Sequence, residues 1–336
     1  MDEYIRLRHG NGGRYARELT ERYILPYFGN DALNPLHDGA RLSVSEGHIA
    51  FTTDSYVVTP RFFPGGNIGS LAVCGTVNDL AMTGAVPEYL SCSFILEEGF
   101  PIAEWEDIIR TMAARAKEAG VSIVTGDTKV VGKGAADGIY INTAGIGRIP
   151  NGIESAPHRI RPGMKVILTG TLGDHAIAVT GTRYGMALSE SLVSDCAPLC
   201  HAVRAVSDEV GGAVAVWRDP TRGGFATALC ELAESGGVGI LTEETDIPVR
   251  DEVRAVCDML GYDPLYLANE GKAICIVEES VVTEILDILR KYAYTAEARV
   301  VGTVTASNAG KAALRTSVGG IRVLRPLGED QVPRIC

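Results

Sequence analysis

No stretch of this sequence is long and uncharged enough to form a membrane-spanning helix, and the opening residues Met1–Tyr4 lack the apolar core of a signal peptide. The sequence therefore predicts a cytoplasmic protein that does not enter the membrane. Positive charge is also scarce, since 31 Lys and Arg stand against 42 Asp and Glu and give a net charge of −11. This balance argues against non-specific binding to nucleic acid or to an anionic membrane surface.

The eight cysteines do not form the dense, even framework of a secreted disulfide-rich protein. Three residues separate Cys196 from Cys200, and His201 follows, but no second pair completes four zinc ligands. We therefore expect mostly buried, reduced thiols, with Cys336 at the end of the sequence as the exception. A Walker phosphate loop is missing as well, because Gly126–Lys133 has one residue too many and no Ser or Thr after its Lys.

Strands alternate with amphipathic helices along the chain, which predicts a mixed α/β (α+β) fold of two domains. The clearest helix spans Pro101–Ala119, where the apolar residues share one side. Pro, Gly, His and Arg cluster at 151–162 and predict a boundary. We place an N-terminal domain at 1–155 and a C-terminal domain at 156–320. Residues 321–336 are expected to form a mobile tail with little apolar surface to bury at its end.

Three aspartates of the first half follow or interrupt apolar elements and have small or hydroxyl-bearing neighbours. Asp54 ends a predicted strand, Asp79 lies within a predicted helix, and Asp127 comes directly after the next strand. Each of them alone is explained more simply as a helix or turn cap. Carboxylates gathered in one place repel each other unless a cation neutralises them, and hard oxygen ligands suit Mg²⁺. Because there are three, we expect Asp54, Asp79 and Asp127 to bind Mg²⁺.

Glycine-rich and charged segments supply candidate contacts for a nucleotide. Backbone N–H groups in the first glycine-rich loop can bind phosphates, although a flexible segment would have the same composition; the residues are Gly10, Asn11, Gly12 and Gly13. Lys129 is either a phosphate contact or a solvated lysine. Asp219 and Arg222 precede a predicted helix, where they either form an anion site or belong to an ordinary helix start. Glu270 is a general base if it faces a cleft, and otherwise a turn residue.

Five strings occur in an order that resembles one ATP-using superfamily, which includes aminoimidazole ribonucleotide synthetase, thiamine-phosphate kinase and selenophosphate synthetase. The strings are Thr53–Ser55, Asn78–Met82, Gly126–Lys129, Asp219–Gly224 and Asn269–Gly271. The final Pro333–Cys336 narrows the resemblance to the HypE family of [NiFe]-hydrogenase maturation proteins, and the resemblance covers essentially the whole chain. Selenophosphate synthetase would need a Cys or selenocysteine in the first glycine-rich loop, and His9–Gly13 has neither.

The resemblance implies a fold, an activity and a set of partners. The activity is ATP-dependent dehydration of S-carbamoyl-Cys336 to a thiocyanate, with HypF as the carbamoyl donor and a HypC–HypD complex as the cyanide acceptor. ATP and Mg²⁺ are the implied cofactors, and the first-domain sheets are expected to pair in a homodimer. Lys129 would lie near the transferred phosphoryl group or the amide oxygen, and Glu270 would accept a proton. Asn78 and Thr128 would belong to the nucleotide site.

Two other functions stay open at this point. A small-molecule kinase or synthetase of the same superfamily, similar to thiamine-phosphate kinase, would not need Cys336. A non-catalytic carrier or docking protein would hand a group or a disulfide to a partner through its tail, and it would show no Mg-dependent ATP turnover.

Overall fold

The structure is a computed structural model that describes residues 13–19, 21, 36, 40–44 and 47–336. In these residues helices and strands alternate around two main sheets, so the predicted mixed α/β architecture is confirmed. The strands are β1 Ala40–Val44, β2 Gly47–Tyr56, β3 Phe62–Phe63, β4 Gly66–Asn67, β5 Val86–Glu97, β6 Ser122–Val131, β7 Ile139–Ile149, β8 Lys165–Leu168, β9 Val214–Arg218, β10 Gly239–Glu243, β11 Ile274–Val277, β12 Arg299–Thr305, β13 Lys311–Arg315 and β14 Ile321–Val323. The helices are α1 Gly13–Leu19, α2 Ile68–Met82, α3 Ile102–Ala119, α4 Asp174–Tyr184, α5 Cys200–Val210, α6 Gly224–Gly236, α7 Asp251–Leu260 and α8 Val282–Leu289.

The first sheet belongs to the N-terminal half of the chain, which ends with β7. Its five strands lie in the order β1-β2-β7-β5-β6, and only β5 and β6 run parallel. Helix α2 packs on this sheet and begins at Asn67, whose side chain accepts the N–H groups of Gly69 and Ser70. Every residue of α2 except Asp79 is buried. A helix that is apolar on nearly all sides must be enclosed, and α2 is covered on its far side by the C-terminal half.

The second sheet has seven strands in the order β14-β13-β10-β12-β8-β11-β9, with β10 and β13 parallel. Strands β10 and β13 are not predicted from the sequence, because each is only five residues long and mixes apolar with charged or hydroxyl residues. Strand β14 pairs with β13, so this sheet continues past residue 320, after which the sequence predicts the tail. Residues 321–323 of the predicted tail therefore belong to the sheet, and the domain limits stay a prediction.

The two halves share a hydrophobic core. One continuous cluster of buried residues includes Leu71 and Val73 of α2 together with Val203 and Val206 of α5, whereas a second cluster lies within the C-terminal half. No helix in the described part of the chain has the length and apolar character needed to cross a bilayer. Because the two halves share this core, they are fixed relative to each other, and the cavity described below lies between them.

The last residues pack against both halves, which corrects the expectation that the end of the tail has little to bury. Val332 and Ile335 are 4% and 5% exposed. The Val57 N–H donates to Cys336 O at 3.1 Å, and the Thr59 N–H donates to Arg334 O at 3.2 Å. The sequence does not reveal this docking, because two apolar residues separated by Pro and Arg show no periodicity. The mobility of the tail stays a prediction.

Candidate active site

A cavity of about 300 Å³ lies between the two halves, next to the end of the tail. Its wall brings together residues from distant parts of the sequence. Seven of the predicted site residues line it: Gly13, Asp54, Asp79, Asp219, Arg222, Glu270 and Cys336. Gly10, Asn11 and Gly12, which were also predicted, lie outside the described residues.

Asp54 and Arg222 meet across the cavity. Asp54 lies within β2, and its Oδ1 accepts the Ser55 N–H at 2.7 Å and Arg222 Nη2 at 3.2 Å. Arg222 belongs to the turn between β9 and α6, where Gly224 has φ +64° and a Cβ there would lie 2.6 Å from Leu267 O. Only glycine fits this turn, so the turn can come close to its neighbours and direct Arg222 toward the N-terminal half.

Asp79 faces the cavity from α2, as the one residue of this helix that is not buried. Its Oδ2 accepts the hydroxyl of Thr52 at 2.9 Å. Thr52, Thr53 and Asp54 of β2 line the same wall. Carboxylate and hydroxyl oxygens at this wall, with the guanidinium of Arg222 opposite, have the chemistry of a site for Mg²⁺ and phosphate groups.

Asp127, Thr128 and Lys129 do not reach this cavity. They lie inside β6, not after the end of a strand, and β6 is three strand positions from β2. Three spacings between neighbouring strands correspond to about 14 Å. Within one chain the three aspartates therefore do not converge, and their joint binding of Mg²⁺ stays a prediction. Among the described residues no group of three or more His, Cys, Asp or Glu is placed to hold a metal ion.

On β6 the side chains of Asp127 and Lys129 instead pair with each other. Lys129 Nζ lies 2.9 Å from Asp127 Oδ2, and both side chains are more than half exposed. The hydrogen bond from Lys129, aided by the Thr128 N–H, lowers the pKa of Asp127. The Asp127 carboxylate is therefore charged at neutral pH, on an open edge of the first sheet.

Glu270 lines the cavity as a buried acid that is 4% exposed. Its Oε1 has no hydrogen-bond partner within the described residues. Burial raises the pKa of Glu270 well above the usual range, and the negative charges of neighbours such as Asp195 and Asp219 add to the rise. The raised pKa makes its carboxylate a stronger base than that of an exposed glutamate.

Asn78 does not line the cavity, contrary to its prediction as a nucleotide contact. It is 2% exposed, and its Nδ2 donates to Ala197 O at 3.0 Å and to Glu270 O at 3.1 Å. Its Oδ1 accepts the Leu199 N–H at 2.8 Å. The Glu270 N–H is held from the other side by Asp195 Oδ1 at 3.0 Å. Asn78 therefore joins the two halves and fixes the backbone that carries Glu270.

Cys336 is the one cysteine among the eight that is not fully buried. Burial still raises the pKa of its thiol well above the usual value, and Glu270 adds to this rise while Arg222 opposes it. The thiolate is the nucleophilic form of cysteine. In the docked position the sulfur is therefore protonated and a weak nucleophile.

Sequence reasoning missed the residues that hold the tail in place. His175 Nε2 lies 2.9 Å from Ile335 O, and Arg183 Nη2 donates to Arg334 O at 2.9 Å. The side chain of Arg334 pairs with Asp137 of the N-terminal half. No local pattern marks these residues, because they acquire a common role only when the tail packs between the halves.

Comparison with known proteins gives relatives along the whole chain. The N-terminal and C-terminal domain families of AIR synthase related proteins match residues 36–149 and 161–315. Carbamoyl dehydratase HypE of Rhodobacter capsulatus is 47% identical over 340 residues, covering 100% of this chain and 99% of that protein.

Solved structures of HypE share the fold. The hydrogenase maturation protein HypE in complex with ATP is 45% identical, with a TM-score of 0.84, and the match covers 99% of this chain and 100% of that one. The HypE of a HypE–HypF complex is 42% identical, with a TM-score of 0.86, and the match covers 92% and 99%. These matches confirm the predicted fold and the resemblance stated from the motifs. The chain belongs to the HypE family of carbamoyl dehydratases, within the AIR synthase related proteins.

Proposed function

We propose that this chain uses ATP to dehydrate a carbamoyl group carried on Cys336, which leaves a thiocyanate on the same sulfur. The observation that carries the proposal is the position of the tail. Cys336 lies at a cavity between the two halves together with a cation, Arg222, and a buried acid, Glu270. A thiol used only for packing would not need an acid, a cation and an open volume beside it.

The chemistry requires the amide oxygen to leave, and oxygen leaves poorly until it is phosphorylated. Transfer of the γ-phosphoryl group of ATP to the oxygen of S–C(=O)–NH₂ gives S–C(=NH)–OPO₃²⁻, ADP and one proton. Breakage of the C–O bond then releases phosphate, and loss of the second N–H proton completes the C≡N bond. Arg222 is placed to stabilise negative charge near the carbamoyl oxygen, and the ionised Glu270 is placed to accept a nitrogen proton.

ATP and Mg²⁺ fit the wall of the cavity that faces β2. Asp54 and Asp79 supply oxygen ligands for Mg²⁺, while Gly13 and Arg222 border the same volume and suit phosphate oxygens. Mg²⁺ bound there would neutralise phosphate charge during the transfer. The relative solved with ATP supports the assignment of the nucleotide to this chain.

A homodimer would explain why Asp127, Thr128 and Lys129 lie away from the cavity. Nine of the ten residues of β6 are exposed, among them Val124 and Val130 at 59% and 67%. A long exposed edge with apolar side chains is the kind of strand that pairs with another chain. We assign this edge to a second copy, so that the Asp127 and Lys129 of one subunit complete the site of the other.

The partners follow from the same family membership. HypF is proposed as the carbamoyl donor, and the relative solved as a HypE–HypF complex supports this. A HypC–HypD complex is proposed as the acceptor of the cyanide. Both transfers take place outside the cavity. The tail must therefore leave its docked position to accept the carbamoyl group and again to deliver the cyanide.

Intact and peptide mass spectrometry tests the proposed reaction. Incubation with the carbamoyl donor system should add one carbamoyl group to Cys336, and Mg–ATP should then remove one water from that residue. Cys336→Ser should give no thiocyanate, whereas Cys200→Ala, which removes a buried internal thiol, should react as the wild type does. A modification on an internal cysteine would contradict the proposal, and ATP turnover without Cys336 would favour a small-molecule kinase.

Mixed dimers test the assignment of Lys129 to the neighbouring site. Lys129→Ala and Cys336→Ser should each be inactive alone, and a mixture that exchanges subunits should regain thiocyanate formation. In the mixed dimer one site has both an intact Cys336 and an intact Lys129 from the other copy. A mixture that stays inactive would place Lys129 in its own subunit's site or remove it from the reaction.

A further inference from the structure

The side chain of His175 contacts both the tail and the N-terminal half, although it does not line the cavity. It is the second residue of α4 and is fully buried. Its ring packs edge-on against Phe63 of the β3–β4 hairpin, with 5.3 Å between centroids and an interplanar angle of 86°. The ring nitrogens contact Ser194 Oγ at 2.8 Å and Ile335 O at 2.9 Å.

These two contacts determine which nitrogen of His175 carries the proton. Ile335 O can only accept a hydrogen bond, so Nε2 must be the donor. Ser194 Oγ already accepts the Cys196 N–H at 3.1 Å, so its own hydrogen is available for Nδ1. Burial lowers the pKa of His175, which favours this neutral form. Every polar atom in the chain of contacts is then satisfied, but only while the tail is docked.

We propose that His175 is a positioning residue that holds Cys336 at the cavity, through the hydrogen bond from its Nε2–H to the carbonyl of Ile335. The bond acts on the residue directly before Cys336, and it ties the thiol to α4 and, through Phe63, to the N-terminal half. This inference deepens the proposed function, since it concerns how the carrier thiol is placed for dehydration.

The backbone of the tail shows why a positioning bond is needed. Arg334 adopts φ +54°, one of the few left-handed non-glycine residues in the described structure. This conformation is unfavourable for an L-residue with a side chain, and it persists only when surrounding contacts hold it. The bonds to the flanking carbonyls, from Thr59 N–H and Arg183 to Arg334 O and from His175 to Ile335 O, supply that restraint. Loss of one bond should therefore shift the tail toward the undocked state.

Two substitutions at His175 separate the donor from the rest of the side chain. The amide of Gln reaches the position of Nε2 and can still donate to Ile335 O. The amide of Asn reaches only the position of Nδ1, so His175→Asn keeps the contact with Ser194 and loses the bond to the tail. Thr180→Val is the matched control, because it changes a buried residue of the same helix whose hydroxyl has no partner among the described residues.

The measurement is the rate at which iodoacetamide alkylates Cys336, followed on the peptide released by cleavage after Glu329. The other seven cysteines are buried, so the tail thiol reacts first. Loss of one net hydrogen bond corresponds to about a fivefold change in an equilibrium. His175→Asn should therefore react about fivefold faster than the wild type, with His175→Gln and Thr180→Val near the wild-type rate. A wild-type rate for His175→Asn, or equal acceleration by Asn and Gln, would overturn the proposal.

A second measurement does not require a variant at position 175. Nitrogen-15 NMR of the histidines should show His175 as the Nε2–H form with a slowly exchanging proton. Deletion of Pro333–Cys336 should make that proton exchange rapidly, and an unchanged signal would overturn the proposal. Neither measurement uses ATP or a carbamoyl donor. Absence of thiocyanate formation in the wild type would refute the proposed function and leave these results intact.

Discussion

Truncation of Ile335 is the sharpest test of the docked tail. The side chain is 5% exposed and belongs to the core cluster that both halves share. Ile335→Ala removes three carbon atoms, worth about 2.4 kcal/mol at about 0.8 kcal/mol for each buried methylene. The cavity left behind raises the cost of such changes to about 2–5 kcal/mol. The docked fraction relative to the undocked should therefore fall by a factor of about 50 or more.

The loss should appear in the tail and not in the rest of the fold. Ile335 lies next to the end of the chain, so the tail can leave while the two sheets and their cores stay intact. We expect Cys336 alkylation to accelerate by about 50-fold or more, up to the rate of a free peptide with the same sequence as the tail. The melting temperature should change little, because the cost is limited to the free energy of docking.

Two control variants calibrate the result. Ile335→Val removes one carbon and should accelerate alkylation by about fivefold, which corresponds to about 1 kcal/mol. Val318→Ala changes a side chain that is 92% exposed and should have no effect. Wild-type alkylation of Ile335→Ala would refute docking through this side chain. A large fall in melting temperature without faster alkylation would show that the tail unfolds only with the whole molecule.

Three further predictions concern the charged groups of the site and the tail. Asp54→Asn and Asp79→Asn should each weaken Mg–ATP binding in calorimetric titrations, and unchanged affinity in both would contradict the metal assignment. The pKa of Glu270 is raised in the folded state. Its contribution to the free energy of unfolding is therefore fully present at acid pH and is lost as the pH rises through that pKa. Glu270→Gln should therefore match the wild type in denaturant at acid pH and exceed it at alkaline pH; parallel pH profiles would contradict this. Burial raises the pKa of Asp330 to about 6, so docking should weaken as the pH rises through this value. Asp330→Asn should abolish that dependence in Cys336 alkylation corrected for the thiolate fraction, and a persistent dependence would assign it to another group.

The docked thiol and the proposed carbamoyl transfer place opposite demands on the tail. At the cavity, burial keeps the pKa of Cys336 high, which suits a carrier whose sulfur already bears a group and needs no further nucleophilic reactivity. Acceptance of the group requires a thiolate that a second protein can reach. A tail that docks and undocks would satisfy both demands, and its undocking stays a prediction that the alkylation rates test.

Local sequence determined the secondary structure of this protein to a large extent. Helix α3 was predicted at Pro101–Ala119 and spans Ile102–Ala119, with its buried residues on the predicted side, and Gly120 at φ +72° ends it. Such elements follow from the spacing of apolar residues and from caps a few residues apart, so a short window of sequence contains the information. The motifs also identified the family, and several of their residues line one cavity in the structure.

Only the tertiary structure decided which side chains act together. Asn78 contacts the backbone of Glu270 across 192 positions, and His175 contacts the backbone of Ile335 across 160. The order of strands in the first sheet, and not any local pattern, separates Lys129 and Asp127 from Asp54. The packing of Val332 and Ile335 likewise depends on surfaces from both halves. Periodicity acts over a few residues, whereas these contacts depend on how the sheets and the tail are assembled, and for that reason the sequence alone could not place them.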